Sequence, residues 1–261
     1  MAVIPKKSLG QHWLADEDTL SAMVSSAGVK AGDKILEIGP GLGGLTKKLL
    51  ETGASVTAVE IDSTLIAKLE TEFSANESFK LINGDFVLFD LAAMGKNYKV
   101  TANIPYFLTG KILRKFVEVD NQPKWMALLV QKEVAERMGS EAGNLSVLAV
   151  LLKHSYDIEV GKVVGRELFS PPPKVDSRIV VLKKKSRPKD VDFRQFARLV
   201  KVGFSARRKK LANNLAAGLQ LEKSAARQLL VSIGLKETVR AQELSLSKWY
   251  KLLEAVEKEY S

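Results

Sequence analysis

The residues "LEIGPGLGGLT" (36–46) carry an apolar run into a cluster of glycines and then into a helical pattern. A strand, a glycine-rich turn and a helix in that order let backbone N–H groups approach a ligand at a helix N-terminus. Gly39, Gly41 and Gly44 satisfy the dinucleotide spacing G-x-G-x-x-G, while Gly43 also satisfies G-x-G-x-G, with Glu37 two positions ahead of Gly39. The loop therefore reads as a nucleotide-binding turn, and its spacing alone leaves the nucleotide open.

Around this loop the chain alternates short apolar runs with amphipathic stretches, the pattern of βαβ units about a mainly parallel sheet. "KILEIG", "SVTAVEI", "FKLINGD", "KVTANI" and "WMALLV" read as five strands, and "YDIEVGKVV" and "SRIVVLKKK" as a sixth and seventh. "LTKKLLET", "STLIAKLETEF", "GKILRKFVEV" and "KEVAERM" have helical spacing between them. The polar, Pro-broken run "KKKSRPKD" (183–190) marks a domain boundary. Four further helical stretches follow, with Asp192 and Ser247 as expected N-caps and Gly218 and Gly234 as expected stops. The predicted architecture is an α/β, Rossmann-like domain over residues 1–185 followed by a smaller all-helical domain over 186–261.

Bulk composition narrows the chemistry. A chain of 261 residues is long enough for a full core. It contains no Cys and only His12 and His154, which excludes disulfides, thiol catalysis and Cys-based zinc sites and argues against any resident metal. No apolar run approaches the roughly 18 residues that cross a bilayer, and "MAVIPKKSLGQHW" lacks the order of a secretory signal, so no membrane association and a cytoplasmic location are expected. The net charge is +10, and residues 187–261 hold 16 Lys or Arg against 8 Asp or Glu, so most of the surplus lies in the tail. A regional basic surplus predicts a polyanionic partner.

Strand ends then converge. Glu60 closes the second strand 21 residues after Gly39, where a carboxylate can accept from both ribose hydroxyls of an adenosine. Asp85 closes the third, placed to accept from an adenine amino group. The fourth delivers "NIPY" (103–106) to the same edge. An adenine N6 amine is a poor nucleophile because its lone pair is delocalised into the ring. Two acceptors aimed at its hydrogens, the Asn103 side-chain oxygen and the carbonyl of Ile104 or Pro105, can draw the nitrogen toward a pyramidal geometry. Pro105 fixes the turn and Tyr106 offers a ring for stacking. Alignment and electrostatics would carry this chemistry without a dedicated base.

"NIPY" resembles the [N/D/S]-[I/L/P]-P-[Y/F/W] motif of amino-methyltransferases. Together with "KKSLGQHWL" (6–14), "EIGPGLGGLT", "NGDF", "LVQKEVAERM" (129–138), "FSPPPKVDS" (169–177) and "FSARRKKLANNL" (204–215), the chain resembles the KsgA-type ribosomal RNA adenine dimethyltransferases over nearly its whole length. That resemblance implies dimethylation, with S-adenosylmethionine (SAM) as donor, of N6 on two adjacent adenosines near the 3′ end of small-subunit (16S) rRNA, a role in small-subunit biogenesis, and a monomer. Erm-type enzymes, which methylate a large-subunit (23S) adenosine, share much of the pattern and are the alternative. The resemblance further implies that His12 and Leu14 close over the cofactor, that Gly39, Gly41 and their loop hold its methionine part, Glu60 its ribose and Asp85 its adenine. Asn103 would stand between cofactor and target, with Tyr106 and Phe169 stacking on opposite faces of the flipped base. The consecutive Arg207, Arg208, Lys209 and Lys210, read as the start of a helix, would contact RNA. Two departures stand out: Phe107 occupies the position where many members have Asn after the Tyr, and Trp13 replaces Phe in "GQ[NH]FL".

Overall fold

The computed structural model describes residues 4–188 and 190–260; the outer ends of both expected domains, Met1 and Ser261, and Lys189 of the boundary run lie outside them. The chain forms β1 (Trp13–Leu14), α1 (Glu17–Ser26), β2 (Lys34–Ile38), α2 (Gly44–Glu51), β3 (Ser55–Glu60), α3 (Ser63–Phe73), β4 (Phe79–Asn83), β5 (Lys99–Asn103), α4 (Thr109–Glu118), β6 (Trp125–Gln131), α5 (Lys132–Gly139) and α6 (Val147–Ser155). It continues through β7 (Tyr156–Val164), β8 (Phe169–Ser170), β9 (Ser177–Lys184), α7 (Phe193–Gly203), α8 (Leu211–Leu219), α9 (Lys223–Ser232) and α10 (Leu246–Tyr260).

The main sheet has the order β4-β3-β2-β5-β6-β9-β7. β4, β3, β2, β5 and β6 run parallel, and β9 returns antiparallel to β6. Central strands of a parallel sheet are covered on both faces and so read as continuous apolar runs; in β6 the five residues Met126–Val130 are all fully buried. The chain winds from β2 outward to β4 and then restarts on the other side of β2 with β5, so β2 and β5 are neighbours at a topological switch point, where ligands of open α/β sheets bind. All seven strands expected from the sequence are present in this sheet. Helix α1 was not expected; it is capped by Asp16, whose side chain accepts from the Thr19 N–H.

By contacts the chain divides into two compact units, one of Met1–Glu136 with Asp157–Lys184, the other of Arg137–Tyr156 with Lys185–Ser261. The second unit is helical and takes in α6, which lies within the residues 1–185 expected to form the α/β domain. Its run "VLAVLLKHS" has Ala149, Val150, Leu151, Leu152, His154 and Ser155 all buried, so no polar face marks it as helix.

Several local expectations in this unit change. Asp192 caps α7 through the Gln195 N–H, and Gly234 follows α9 with φ +72°. Ser247, however, lies inside α10, and it is Ser245 whose Oγ accepts the Lys248 N–H. Gly218 is the penultimate residue of α8 rather than its stop; a Cβ there would collide with Val202, and Gln220 makes the left-handed turn at φ +57°. Arg207, Arg208 and Lys209 lie in the turns between α7 and α8, and Lys210 is the N-cap of α8, so the expected helical start is not formed. The buried Asn214 explains the break: its Nδ2 donates to the carbonyls of Gly203 (2.5 Å) and Ala206 (3.2 Å), which occupies acceptors that a continued helix would need.

Candidate active site

The carboxyl ends of β2, β3, β4 and β5 open into one cavity of about 250 Å³, roofed by residues Ser8–Trp13 of the N-terminal segment. Of the residues singled out in the sequence, His12, Gly39, Gly41, Glu60, Asp85, Asn103, Pro105 and Tyr106 all line it.

The glycine loop is held open. Gly39 has φ +64°, and a Cβ built there meets nothing within 4 Å, so its bare backbone faces free space in the cavity. Gly43 has φ +88° and packs so closely that a Cβ would stand 2.7 Å from the Phe73 ring. The Gly41 N–H donates to Glu60 Oε2 at 3.3 Å, linking the loop to the end of β3. Glu60 Oε1 accepts the N–H groups of Ile61 and Asp62, both at 2.9 Å. Burial pushes the Glu60 carboxyl up, against the pull of these donors. With Oε1 saturated, Oε2 is the oxygen with a lone pair to spare for a ligand hydroxyl. Beneath the loop, Glu37 is fully enclosed; burial pushes its carboxyl up to about 8 although Thr46 Oγ1 donates to it at 2.7 Å.

Asp85 Oδ1 accepts the Val87 N–H at 2.8 Å, which shapes the cavity-lining turn of Asp85, Phe86 and Val87. Lys115 of α4 secures the same turn by donating to the carbonyls of Val87 (2.7 Å) and Phe89 (2.5 Å).

The N-terminal roof is fixed by bonds that no local pattern announces. Lys6 Nζ meets Asp62 Oδ1 at 2.5 Å, and Gln11 Nε2 donates to Asp62 Oδ2 at 2.7 Å. Burial raises the Asp62 carboxyl, but the hydrogen bonds from Lys6, Thr64 and Gln11 outweigh it and hold the group well below the usual carboxylate range.

At the end of β5, Asn103 Nδ2 donates to the His12 carbonyl at 2.9 Å. A carbonyl can only accept, so this bond sets the amide orientation and leaves Oδ1 as its free acceptor. The Pro105 carbonyl already accepts the Leu108 N–H at 3.0 Å and lies 3.5 Å from Thr109 Oγ1. No donor reaches the Ile104 carbonyl among the described residues, so of the two carbonyls considered it is Ile104 that stays available.

"FSPPPKVDS" serves this corner differently from expectation. Phe169 is buried (4% exposed) in the core cluster with Leu20, Met23 and Ile35, pairs with Leu14 between β8 and β1, and does not line the cavity. Leu14 packs against the same core. Both side chains therefore bury apolar surface in the core. The ring set against Tyr106 is instead His12, with centroids 5.8 Å apart and planes at 23°. The proline segment holds both rings: the Pro171 carbonyl is 2.7 Å from His12 Nδ1, and Ser177 Oγ is 2.7 Å from the Tyr106 hydroxyl.

Arg207, Arg208, Lys209 and Lys210 are all exposed and do not belong to this cavity; they form a basic loop in the helical unit. Among the described residues, no group of three or more His, Cys, Asp or Glu side chains is placed to hold a metal, and no helix is long and apolar enough to cross a membrane.

The donor set suits an adenosine bearing a charged tail: bare glycine backbone, a buried carboxylate with a spare lone pair, an acidic turn with an aromatic beside it, and an oriented amide at the mouth. Comparison with known proteins points the same way. The family model described as ribosomal RNA adenine dimethylase matches residues 4–258. A protein of Nostoc sp. named ribosomal RNA small subunit methyltransferase A is 39% identical over 96% of this chain and 97% of its own. One of the same name from Dehalococcoides mccartyi is 36% identical over 94% of this chain and 86% of its own. A solved dimethyladenosine transferase from Plasmodium falciparum superposes with a TM-score of 0.81 at 27% identity, covering 95% of this chain and 98% of its own. The 23S rRNA methyltransferase ErmE shares the fold at a TM-score of 0.76 and 24% identity, over 94% of this chain and 99% of its own. A match of this extent, centred on a cavity built for an adenosine cofactor, makes the chain a member of the ribosomal RNA adenine dimethylase family, enzymes that take their methyl groups from SAM.

Proposed function

We propose that this enzyme dimethylates N6 of two adjacent adenosines near the 3′ end of 16S rRNA, as a cytoplasmic monomer acting on the small ribosomal subunit or its precursor. The observation that carries the reading is the pair of acceptors at the cavity mouth, Asn103 Oδ1 and the Ile104 carbonyl, since an exocyclic amine offers two hydrogens. The relatives' shared name supplies the small subunit.

In this reading Gly39 and Gly41 hold the methionine part of SAM by their backbone, Glu60 Oε2 accepts from the ribose and the Asp85 turn holds the adenine. When bound, SAM supplies an electrophilic methyl on a sulfonium. In the first transfer Asn103 Oδ1 and the Ile104 carbonyl would accept hydrogen bonds from the two N6 hydrogens of the target, which localises the nitrogen lone pair and aims it away from the acceptors; the nitrogen sheds one of these protons to solvent as it takes the methyl, and the hydrogen that remains serves the second transfer. Because both groups are fixed before substrate arrives, little reorganisation is left for the reaction itself. Tyr106, held by Ser177, gives the flipped base a ring face, and the His12 segment excludes water above it. The base must leave its stack to reach this depth. Recognition of the surrounding RNA falls to exposed cations, with Arg207, Arg208, Lys209 and Lys210 in a loop that can present all four to phosphates.

The test is methyl transfer from labelled SAM to small and large ribosomal subunits purified from cells that lack the dimethylation. Label recovered as dimethyladenosine in small-subunit RNA alone is expected. Label in large-subunit RNA would overturn the reading in favour of the Erm-type substrate.

A further inference from the structure

Phe107 is a large apolar side chain left 61% exposed at the rim of the cavity. It follows Tyr106 directly, in the short helical turn Tyr106–Leu108 that leads into α4. The ring is not loose: it rests against Gly10, where a Cβ would come within 3.0 Å of two ring carbons. One edge is thereby fixed by the N-terminal roof while the rest of the ring stands in solvent. Leu88, next to the cavity-lining Val87, adds a second exposed apolar side chain (83%) on the turn that borders the same cavity.

Cations follow on the helix into which this turn leads. Lys111 and Arg114, three residues apart in α4, share one helix face, and both are exposed. Neither makes an ion pair with another described residue. An exposed aromatic followed by unpaired cations at the mouth of a cavity that takes a flipped base is the composition of a single-strand nucleic-acid track.

We propose that Phe107 is a stacking platform for the nucleobase beside the flipped target, with Lys111 and Arg114 contacting the phosphates that follow. This rests on the reading above, in which the substrate holds two adjacent adenosines. Extruding one of them strips its neighbour of a stacking partner, so a ring at the cavity mouth recovers what the extrusion loses. Tyr106 handles the base inside the cavity, Phe107 the base outside it.

The test is a cycle with two RNA oligonucleotides from the 3′ end of small-subunit rRNA, one carrying the adjacent adenosines and one with an abasic residue beside the target. Affinity is measured by fluorescence anisotropy with the demethylated cofactor product present. Phe107→Ala should weaken binding of the intact RNA about tenfold, within the range of one lost base–aromatic stack, and Phe107→Trp should restore it. The abasic RNA should bind wild type about tenfold more weakly and lose nothing further with Phe107→Ala. In turnover the RNA KM should rise with kcat unchanged, because the contact is equally present in ground and transition states. Equal loss on both RNAs, or unchanged affinity for both, would overturn the proposal. Weakened SAM binding would assign Phe107 to holding Gly10 instead. Wild type that binds the intact RNA no better than an unrelated RNA would count against the small-subunit assignment, whereas specific binding that Phe107→Ala leaves unchanged would count against Phe107 alone.

Discussion

His154 in α6 gives the helical unit a stability that depends on pH. The side chain is completely buried, with Nδ1 at 3.0 Å from the Tyr250 hydroxyl and its ring stacked on Phe196 at 4.8 Å. Nε2 has no partner among the described residues. Burial, with Arg187 and Lys185 nearby, pushes the imidazole from its ordinary 6.5 down to about 4. The unfolded chain therefore takes up the proton first. The contribution of neutral His154 is complete above about pH 6.5 and is lost as the pH falls toward 4. At roughly 1.4 kcal/mol for each pH unit between the unfolded and folded values, the contribution is about 3 kcal/mol, most of it lost by about pH 4.5. Carboxylates titrate in the same range, so the measurement is a difference. Urea denaturation of wild type and His154→Phe at about pH 7.5 and about pH 4.5 should show wild type losing about 2 to 3 kcal/mol more than the variant. Parallel losses in the two proteins would refute the reasoning.

Two further predictions concern the roof and the basic loop. Asp62→Asn removes the charge that anchors Lys6 and Gln11, and because Lys6 is partly exposed the loss is about 1 kcal/mol; SAM affinity by calorimetry should fall about fivefold with the melting temperature little changed, and unaltered affinity would show that the latch does not matter to binding. Reversing charge at Arg207 and Arg208 should weaken association with small subunits and steepen less with salt than wild type, while SAM affinity stays intact; equal loss of both would mean a folding defect.

The sheet was legible because its central strands β2, β3, β5 and β6 are largely buried and bounded by turn residues, so short apolar runs alternating with amphipathic stretches mark them. The convergence of Gly39, Glu60, Asp85 and Asn103 follows from that topology, since successive parallel strands end at one edge. What escaped depends on partners distant in the chain. Lys6 and Asp62 are 56 residues apart, and nothing local marks either as an anchor. Phe169 was placed at the flipped base by resemblance alone, and its core packing and its pairing with Leu14 across β1 and β8 are visible only in the fold. Helix α6 was hidden by being apolar on every side, and the basic run looked helical because the Asn214 bonds that end α7 come from beyond it.

The account turns on Asn103 as the group that prepares the amine, and single-turnover methyl transfer at saturating SAM tests this most directly. Asn103→Ala should leave a folded enzyme that still binds small-subunit RNA but transfers methyl on the order of a hundredfold or more slowly, the cost of losing one preorganised polar contact to a reacting centre. Transfer at the wild-type rate would contradict the account.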